Sequence, residues 1–74
     1  MNQAIGIALK ALRKNNGLSQ EVLAEYLNIS QSAYSRIENG DSNSWSIHFD
    51  KLCNFYEIKP ARMFKRITKN PPKL

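Results

Sequence analysis

Short breaks at regular intervals are the feature that most limits what this chain can fold into. A glycine follows an asparagine at Asn16-Gly17 and at Asn39-Gly40, where a helix can end in the left-handed conformation. A third break, Asn28-Ile29-Ser30, leaves only three residues between two amphipathic segments. Between the breaks, apolar residues recur at three- and four-residue spacing, and no stretch alternates with period two for long enough to form a strand. The sequence therefore predicts an all-α fold.

Five helices are expected, packed as a compact bundle in one domain of residues 1–67. The first helix ends at Asn16-Gly17. The second covers about residues 20 to 27 and the third about residues 31 to 38. The fourth begins near Ser44 and the fifth at Pro60. Ser19 and Ser30 are good N-caps for the second and third helices. Residues 68–74 form a basic tail that we expect to be flexible.

The length and composition exclude several classes of protein. A chain of 74 residues buries little interior, and no paired acid and base, phosphate-binding loop or activated nucleophile is evident, so we expect no enzyme. No apolar run approaches the roughly 18 residues of a membrane span, and the N-terminus does not resemble a secretory signal. Cys53 and His48 alone cannot supply a zinc site. The sequence predicts a cytoplasmic protein without metal or cofactor.

Positive charge is concentrated at the C-terminal end. The net charge is +5, yet residues 59–74 contain six lysines and arginines and no acid. Residues 1–58 hold the other five bases against all six acids. A high isoelectric point is therefore weak evidence for nucleic-acid binding by the folded part. The basic tail is either an arm onto phosphates or a solubilising end.

The third helix exposes side chains suited to reading DNA. Gln31, Ser32, Ser35 and Arg36 share its outer face. Glutamine and arginine make bidentate hydrogen bonds to adenine and guanine edges, and serine bonds to bases or phosphates. A short helix that presents this set fits the major groove. The alternative is that Arg36 is only a solvated surface residue.

The segment LSQEVLAEYLNISQSAYSRIENG, residues 18–40, resembles the helix-turn-helix of the phage repressor and Cro family of transcriptional regulators, the XRE family. The resemblance extends from about Ile5 to Phe64. It is carried by Leu18-Ser19-Gln20, Leu23-Ala24, Ser30 and residues 35–40.

This resemblance implies a lambda-repressor-like fold in which a homodimer binds an operator with the third helix of each copy in the major groove. Base contacts would fall to the four outer residues named above. Phosphate contacts would fall to Gln20, Asn39, Asn43 and Ser44. The resemblance also implies an ion pair between Arg13 and Glu38, which explains an acid in the last helical turn, where negative charge opposes the helix dipole.

The chain departs from the family pattern in its turn and in its loop. Asn28 stands where many relatives have glycine, and the loop sequence GDSNSWS lacks the usual lysine and proline. Residues 19–44 contain one base, Arg36, against four acids. DNA affinity must therefore come from placed hydrogen bonds, helix N-termini and bases outside this segment.

A single reading helix gives too little discrimination, so we expect a homodimer whose reading helices lie about 34 Å apart. The apolar residues near the end of the fold are the candidates for the dimer surface: Ile58, Met63, Phe64 and Ile67. The function that we expect is sequence-specific repression. The alternative is an antitoxin or coregulator whose main partner is a protein, which the acidic helix-turn-helix favours.

Three side chains have simpler interpretations than a functional one. Tyr34 is expected to pack on the core side of its helix with its hydroxyl at the surface. Cys53 lies on an apolar stripe and is expected to be a small buried hydrophobe. His48 is expected to be an exposed residue of the fourth helix.

Overall fold

Five α-helices, with no strand in the part of the chain described, make up the computed structural model, which describes residues 1–69 and the side chains of residues 1–67. The helices are α1 (Asn2–Asn15), α2 (Gln20–Leu27), α3 (Gln31–Glu38), α4 (Trp45–Tyr56) and α5 (Pro60–Lys69). The predicted all-α, five-helix fold is confirmed. None of the helices within residues 1–69 combines the length and the hydrophobicity needed to cross a bilayer.

Serine caps fix the starts of α2 and α3. The Ser19 hydroxyl accepts a hydrogen bond from the Val22 amide at 3.3 Å, and the Ser30 hydroxyl accepts one from the Ala33 amide at 3.1 Å. Each bond satisfies one of the amides that the first helical turn leaves without a partner. Ser44 stands before α4 but makes no such bond to that helix.

The first four helices end in the same way. In each, a residue with positive φ is followed by a residue whose amide donates back into the helix. The left-handed residues are Gly17, Asn28, Gly40 and Glu57. The amide bonds are Leu18 to Arg13, Ile29 to Ala24, Asp41 to Arg36 and Ile58 to Cys53, all between 2.9 and 3.0 Å. Asn28 thus takes the place of a turn glycine without changing the motif.

The residue after each left-handed position decides how the helix end meets the core. Leu18, Ile29 and Ile58 are partly buried and pack against the hydrophobic core. At the end of α3 this position is Asp41, which is exposed. The end of the third helix is therefore open to solvent where the other three ends are sealed by an apolar side chain.

The core lies between α1, α3 and the flanking helices. Its buried members are Ile5, Leu9, Leu12, Leu23, Ala24, Leu27, Tyr34, Ile37, Leu52, Cys53, Met63 and Ile67. Close contact between α1 and α3 depends on Gly6, because a β-carbon there would overlap the carbonyl group of Glu38 and lie 2.8 Å from the carbonyl oxygen of Ile37. The helix that carries the outer polar face is thus held against α1 backbone to backbone.

The fifth helix corrects one part of the sequence prediction. Met63 and Ile67 are each only 2% exposed, because α5 packs this stripe against its own domain. They cannot form a dimer surface in this fold. Phe64, on the neighbouring face, is 43% exposed, and Ile58 is partly buried. An apolar stripe at the end of a sequence looks the same whether it covers its own core or a second copy.

Candidate nucleic-acid interface

The third helix has one anchored face and one open face. Tyr34, Ile37 and Glu38 are buried, and the helix packs against both α1 and α2. Gln31 and Arg36 are exposed at the two ends of the opposite face. Because the buried residues lock its rotation, the outward side chains keep a fixed direction.

All four predicted base-contact residues lie on this open face. Gln31, Ser32 and Arg36 are exposed, and Ser35 is partly buried. Ser32 lies at the helix start, where its hydroxyl is 3.5 Å from that of the cap residue Ser30. The structure thus brings the predicted set together on one surface of a helix.

The Arg36 guanidinium lies against the loop that follows α3. Its Nη2 donates to the backbone carbonyl of Asp41 at 3.3 Å, and both residues are exposed. This bond uses one of the five N–H donors of the guanidinium, so a fork of donors is still available for a bidentate contact. The exposed carboxylate of Asp41 lies on the same loop and disfavours a phosphate at its own position.

A buried ion pair closes the inner side of the same helix. Arg13 Nε donates to Glu38 Oε2 at 2.7 Å, and Arg13 Nη2 donates to Glu38 Oε1 at 3.1 Å. Arg13 Nη1 donates to the carbonyl of Leu18 at 2.8 Å. The structure therefore contains the pair expected between these two residues. It joins α1 to the end of α3 and to the turn before α2.

The charge state of this cluster follows from its contacts. Burial by itself would raise the pKa of the Glu38 carboxyl, but hydrogen bonds from Arg13 and Gln20 outweigh that effect and leave the pKa below its ordinary value. The hydrogen bond to Glu38 raises the pKa of Arg13. Both groups are therefore charged at neutral pH.

Gln20 connects this cluster to the start of α2. Its Nε2 donates to Glu38 Oε1 at 3.1 Å, and the residue is partly buried. A glutamine amide nitrogen has two N–H groups, so one can face the carboxylate while the other can face a phosphate. The predicted phosphate contact is thus a side chain that the fold already holds in one orientation.

The other predicted phosphate contacts lie after α3. Asn39 and Asn43 are exposed, and Ser44 is partly buried. The hydroxyl of Ser44 lies 2.8 Å from that of Ser42, and the Ser44 amide donates to the Ser42 hydroxyl at 3.1 Å. The two asparagines are free to reach outward, whereas Ser44 is partly occupied within its own loop.

Side chains at the start of α1 contact the loop after α3 and the first residue of α4. These contacts were not predicted from the sequence. Trp45 Nε1 donates to Asn2 Oδ1 at 2.7 Å. Gly40 is so close to Gln3 that a β-carbon on Gly40 would lie 2.8 Å from the Gln3 side chain. The contact of Gly6 with the end of α3 was also not predicted. The sequence does carry a signal for it, because a glycine inside a helix often marks close backbone packing.

The position of Tyr34 differs in part from the prediction. The side chain packs on the core side as expected, but the whole residue is buried and its hydroxyl does not reach the surface. Burial, followed by the neighbouring Glu38, raises the pKa of Tyr34. The same two causes raise the pKa of Tyr56 to about 12. Both phenols therefore stay neutral, and Tyr34 is not available to stack on a base.

Other chemistry is not assembled in the described part of the chain. Within it, no three side chains of histidine, cysteine, aspartate or glutamate lie together in a way that could hold a metal ion. Cys53 is a buried free thiol whose pKa is raised by burial. His48 is partly buried rather than fully exposed.

Two short helices joined by a three-residue turn, with a polar outer face on the second, define a helix-turn-helix protein. Comparison with protein-family models gives a match to the helix-turn-helix family over residues 9–62. The chain belongs to this family, the Cro/C1-type or XRE family of DNA-binding transcription regulators. The match to the family model confirms the resemblance predicted from the sequence. Among curated proteins, a search finds no match to the chain.

Proposed function

We propose that the chain is a sequence-specific repressor that binds an operator as a homodimer, with α3 in the major groove. The observation that carries the proposal is the open face of α3, on which Gln31, Ser32 and Arg36 are exposed while Tyr34 and Ile37 anchor the opposite side. Side chains that make bidentate hydrogen bonds, on a rotationally fixed helix, are what direct reading of base edges requires. Occupation of a duplex segment by such a protein excludes other proteins from it.

Phosphate contacts would set the register of that helix. We propose that Gln20, held by Glu38 at the start of α2, and the exposed Asn39 and Asn43 contact phosphates on either side of the reading helix, with Ser44 in a lesser role. Because residues 19–44 are net acidic, these contacts are hydrogen bonds from neutral groups rather than ion pairs. The expected consequence is modest nonspecific affinity.

A homodimer supplies the second reading helix. The domain measures 30 × 25 × 24 Å along its principal axes, so two copies side by side can place their α3 helices about 34 Å apart, on successive turns of the groove. Phe64, which is 43% exposed on α5, is our remaining candidate from the predicted dimer surface, together with the partly buried Ile58 that precedes α5.

The test is selection of bound sequences from a pool of random duplexes, followed by affinity measurements on the selected duplex and on a scrambled duplex. We expect a selected site with two related halves. Gln31→Ala combined with Arg36→Ala should weaken binding to the selected duplex by about tenfold or more, because each good base contact is worth about 1–3 kcal/mol. Lys51→Ala, which removes an exposed base from α4, is the matched control. Selection of no consensus would contradict the proposal.

A protein-binding module is the second candidate, and the acidic character of residues 19–44 favours it. An antitoxin or coregulator of this kind would keep its protein partner when Gln31 and Arg36 are both replaced by alanine. A repressor would lose its selected duplex with the same variant. A sedimentation experiment with and without the selected duplex separately tests the dimer.

A further inference from the structure

Three adjoining grooves run across the surface formed by α2, the ends of α1 and α4, and α5. The first, of about 360 Å³, is lined by Val22, Glu25, Tyr26 and Phe55. The second, of about 430 Å³, shares Phe55 with the first. The third, of about 460 Å³, shares Arg66 with the second and is also lined by Arg62 and Lys59. Shared lining residues make the three grooves one continuous surface, which we call the α2–α5 trough.

The α2 end of the α2–α5 trough is apolar and aromatic, whereas the polar side chains of Asn15, Asn16 and Glu57 help to line its middle groove. Val22 is 43% exposed and Tyr26 is 44% exposed. Tyr26 packs edge-on against Phe55 at 4.9 Å between ring centroids, and Phe55 packs against Tyr56 at 5.0 Å. Ile58 continues the strip toward α5. Exposed apolar and aromatic side chains that adjoin in this way offer a ligand a packing surface.

The two ends of the trough carry opposite charge. Lys59, Arg62 and Arg66 line the α5 end together with one acid, Glu57, so this end is net positive, and in the part of the chain that the structure describes none of the three bases is in an ion pair. Glu25 lines the α2 end, and α2 contains no base. Charge complementarity therefore favours a ligand with net negative charge toward α5 and none toward α2.

This pattern separates a protein ligand from a nucleic acid. A DNA duplex carries phosphate along its whole length, so it is repelled at Glu25, and its stacked bases are not available to pack on Tyr26 and Phe55. None of the residues proposed to read DNA lines any of the three grooves. An occupant of the trough and a duplex on α3 can therefore be bound by one molecule at the same time.

We infer that the α2–α5 trough is a docking surface for a short amphipathic segment of a partner protein, in which apolar side chains are followed by a cluster of carboxylates. The apolar side chains pack on Val22, Tyr26 and Phe55, and the carboxylates meet Arg62 and Arg66. Arginine favours such contacts because its planar fork binds a carboxylate bidentately. This surface goes beyond the proposed DNA reading, and it gives the protein a means of recruitment while it occupies an operator.

The probe is a display library of random peptides of about a dozen residues, selected against the full chain. We expect the enriched peptides to combine two or three apolar residues with aspartate or glutamate at one end. Fluorescence anisotropy then measures the affinity of an enriched peptide for variants. Arg62→Glu combined with Arg66→Glu should weaken binding by about tenfold or more. Tyr26→Ala should weaken it by a similar factor, through lost packing.

Two controls keep the result specific. Lys10→Glu combined with Lys51→Glu makes the same charge change at exposed positions outside the trough and should alter the affinity by no more than about twofold. Tyr26→Ala should bind the selected duplex as the natural chain does, so that failure of the trough and failure of DNA reading are distinguishable. Circular dichroism checks that each variant is folded.

Several outcomes would overturn the inference. No enrichment, enriched peptides without acids, or equal losses in the trough and control variants would each do so. A self-association of the natural chain that Tyr26→Ala abolishes would assign the trough to a second copy instead. Enrichment that depends on both Tyr26 and the two arginines supports the docking surface.

Discussion

The missing side chain of Gly6 sets how closely two helices approach. A β-carbon at this position would overlap the Glu38 carbonyl, which is backbone and cannot move like a flexible side chain. We predict that Gly6→Ala destabilises the fold by about 1–3 kcal/mol, the usual cost of overpacking. Urea unfolding monitored by circular dichroism measures the change.

Lys10→Ala, at an exposed position of the same helix, is the control for Gly6→Ala and should change the free energy of unfolding by less than about 0.5 kcal/mol. At an exposed helical position, replacement of glycine by alanine ordinarily raises the free energy of unfolding by about 1 kcal/mol. A gain of that kind at Gly6 would show that α1 and α3 do not approach as closely as described.

The Arg13–Glu38 pair makes stability depend on acid pH. The pKa of Glu38 is lower in the folded chain than its ordinary value, so the pair contributes its full stability above the pKa of the unfolded chain. That contribution is lost as the pH falls through the lower, folded-state pKa. We predict that Glu38→Gln lowers the free energy of unfolding at pH 7 and flattens its decline below about pH 4.3, the ordinary glutamate value.

The cost of Glu38→Gln at neutral pH should be about 3 kcal/mol, near the low end for a broken buried pair, because the Arg13 side chain is still 10% exposed to water. Urea unfolding between about pH 3 and 7 measures both effects. Glu21→Gln, at an exposed position, is the control. If the free energy of unfolding fell equally in both variants as the pH was lowered, the pair would not be the source of the pH dependence.

At the scale of the helices, α4 ends at a strained residue. Glu57 has φ +55° and ψ +42°, the left-handed conformation that Gly17 and Gly40 adopt without penalty. A side chain costs about 1–2 kcal/mol there, whereas glycine adds back about 0.5–1 kcal/mol of chain entropy. We predict that Glu57→Gly stabilises the chain by about 0.5–1 kcal/mol in a thermal or urea melt.

Glu57→Gln is the matched control, since it removes the charge and keeps the β-carbon. It should leave the stability within a few tenths of a kcal/mol of the natural chain. An equal gain in both variants would mean that the charge of Glu57, rather than its backbone conformation, is the cause.

The helix boundaries could be predicted where the local signals are strong. The extents of α2 and α3 agree with the sequence prediction because serine caps and left-handed asparagine or glycine act locally. The outward direction of Gln31, Ser32 and Arg36 followed from helical spacing alone. Local spacing fixes which residues share a face but not what that face meets.

The misjudged residues all depend on contacts between distant segments. Met63 and Ile67 cover the domain's own core, and the Tyr34 hydroxyl is enclosed next to Glu38 and Tyr56. Gly6 meets α3, which follows it by about thirty residues. The burial of Met63, Ile67 and the Tyr34 hydroxyl leaves no mark in the neighbouring sequence, so no periodicity could reveal it, whereas Gly6 carries a signal as a glycine inside a helix.

At the scale of the whole molecule, charge and reading surface are separated. Residues 19–44 hold one base against four acids, while residues 59–74 hold six bases and no acid. A protein that reads DNA needs cations near phosphates, because release of condensed counterions supplies most nonspecific affinity. The reading segment itself cannot provide them. Lys69 and Lys73 of the basic tail are a source of cations outside the α2–α5 trough.

This separation gives a prediction for the residues beyond 67, whose placement lies outside the side chains described. Removal of residues 68–74 takes away Lys69 and Lys73. The magnitude of the slope of log affinity against log salt should then fall by about 1–2, since each lost phosphate contact accounts for about 0.9. Anisotropy titrations of the selected duplex over a range of salt measure the slope. The full-length variant Lys69→Gln with Lys73→Gln should show the same fall if charge is the cause, and an unchanged slope in both would leave the basic tail a solubilising end.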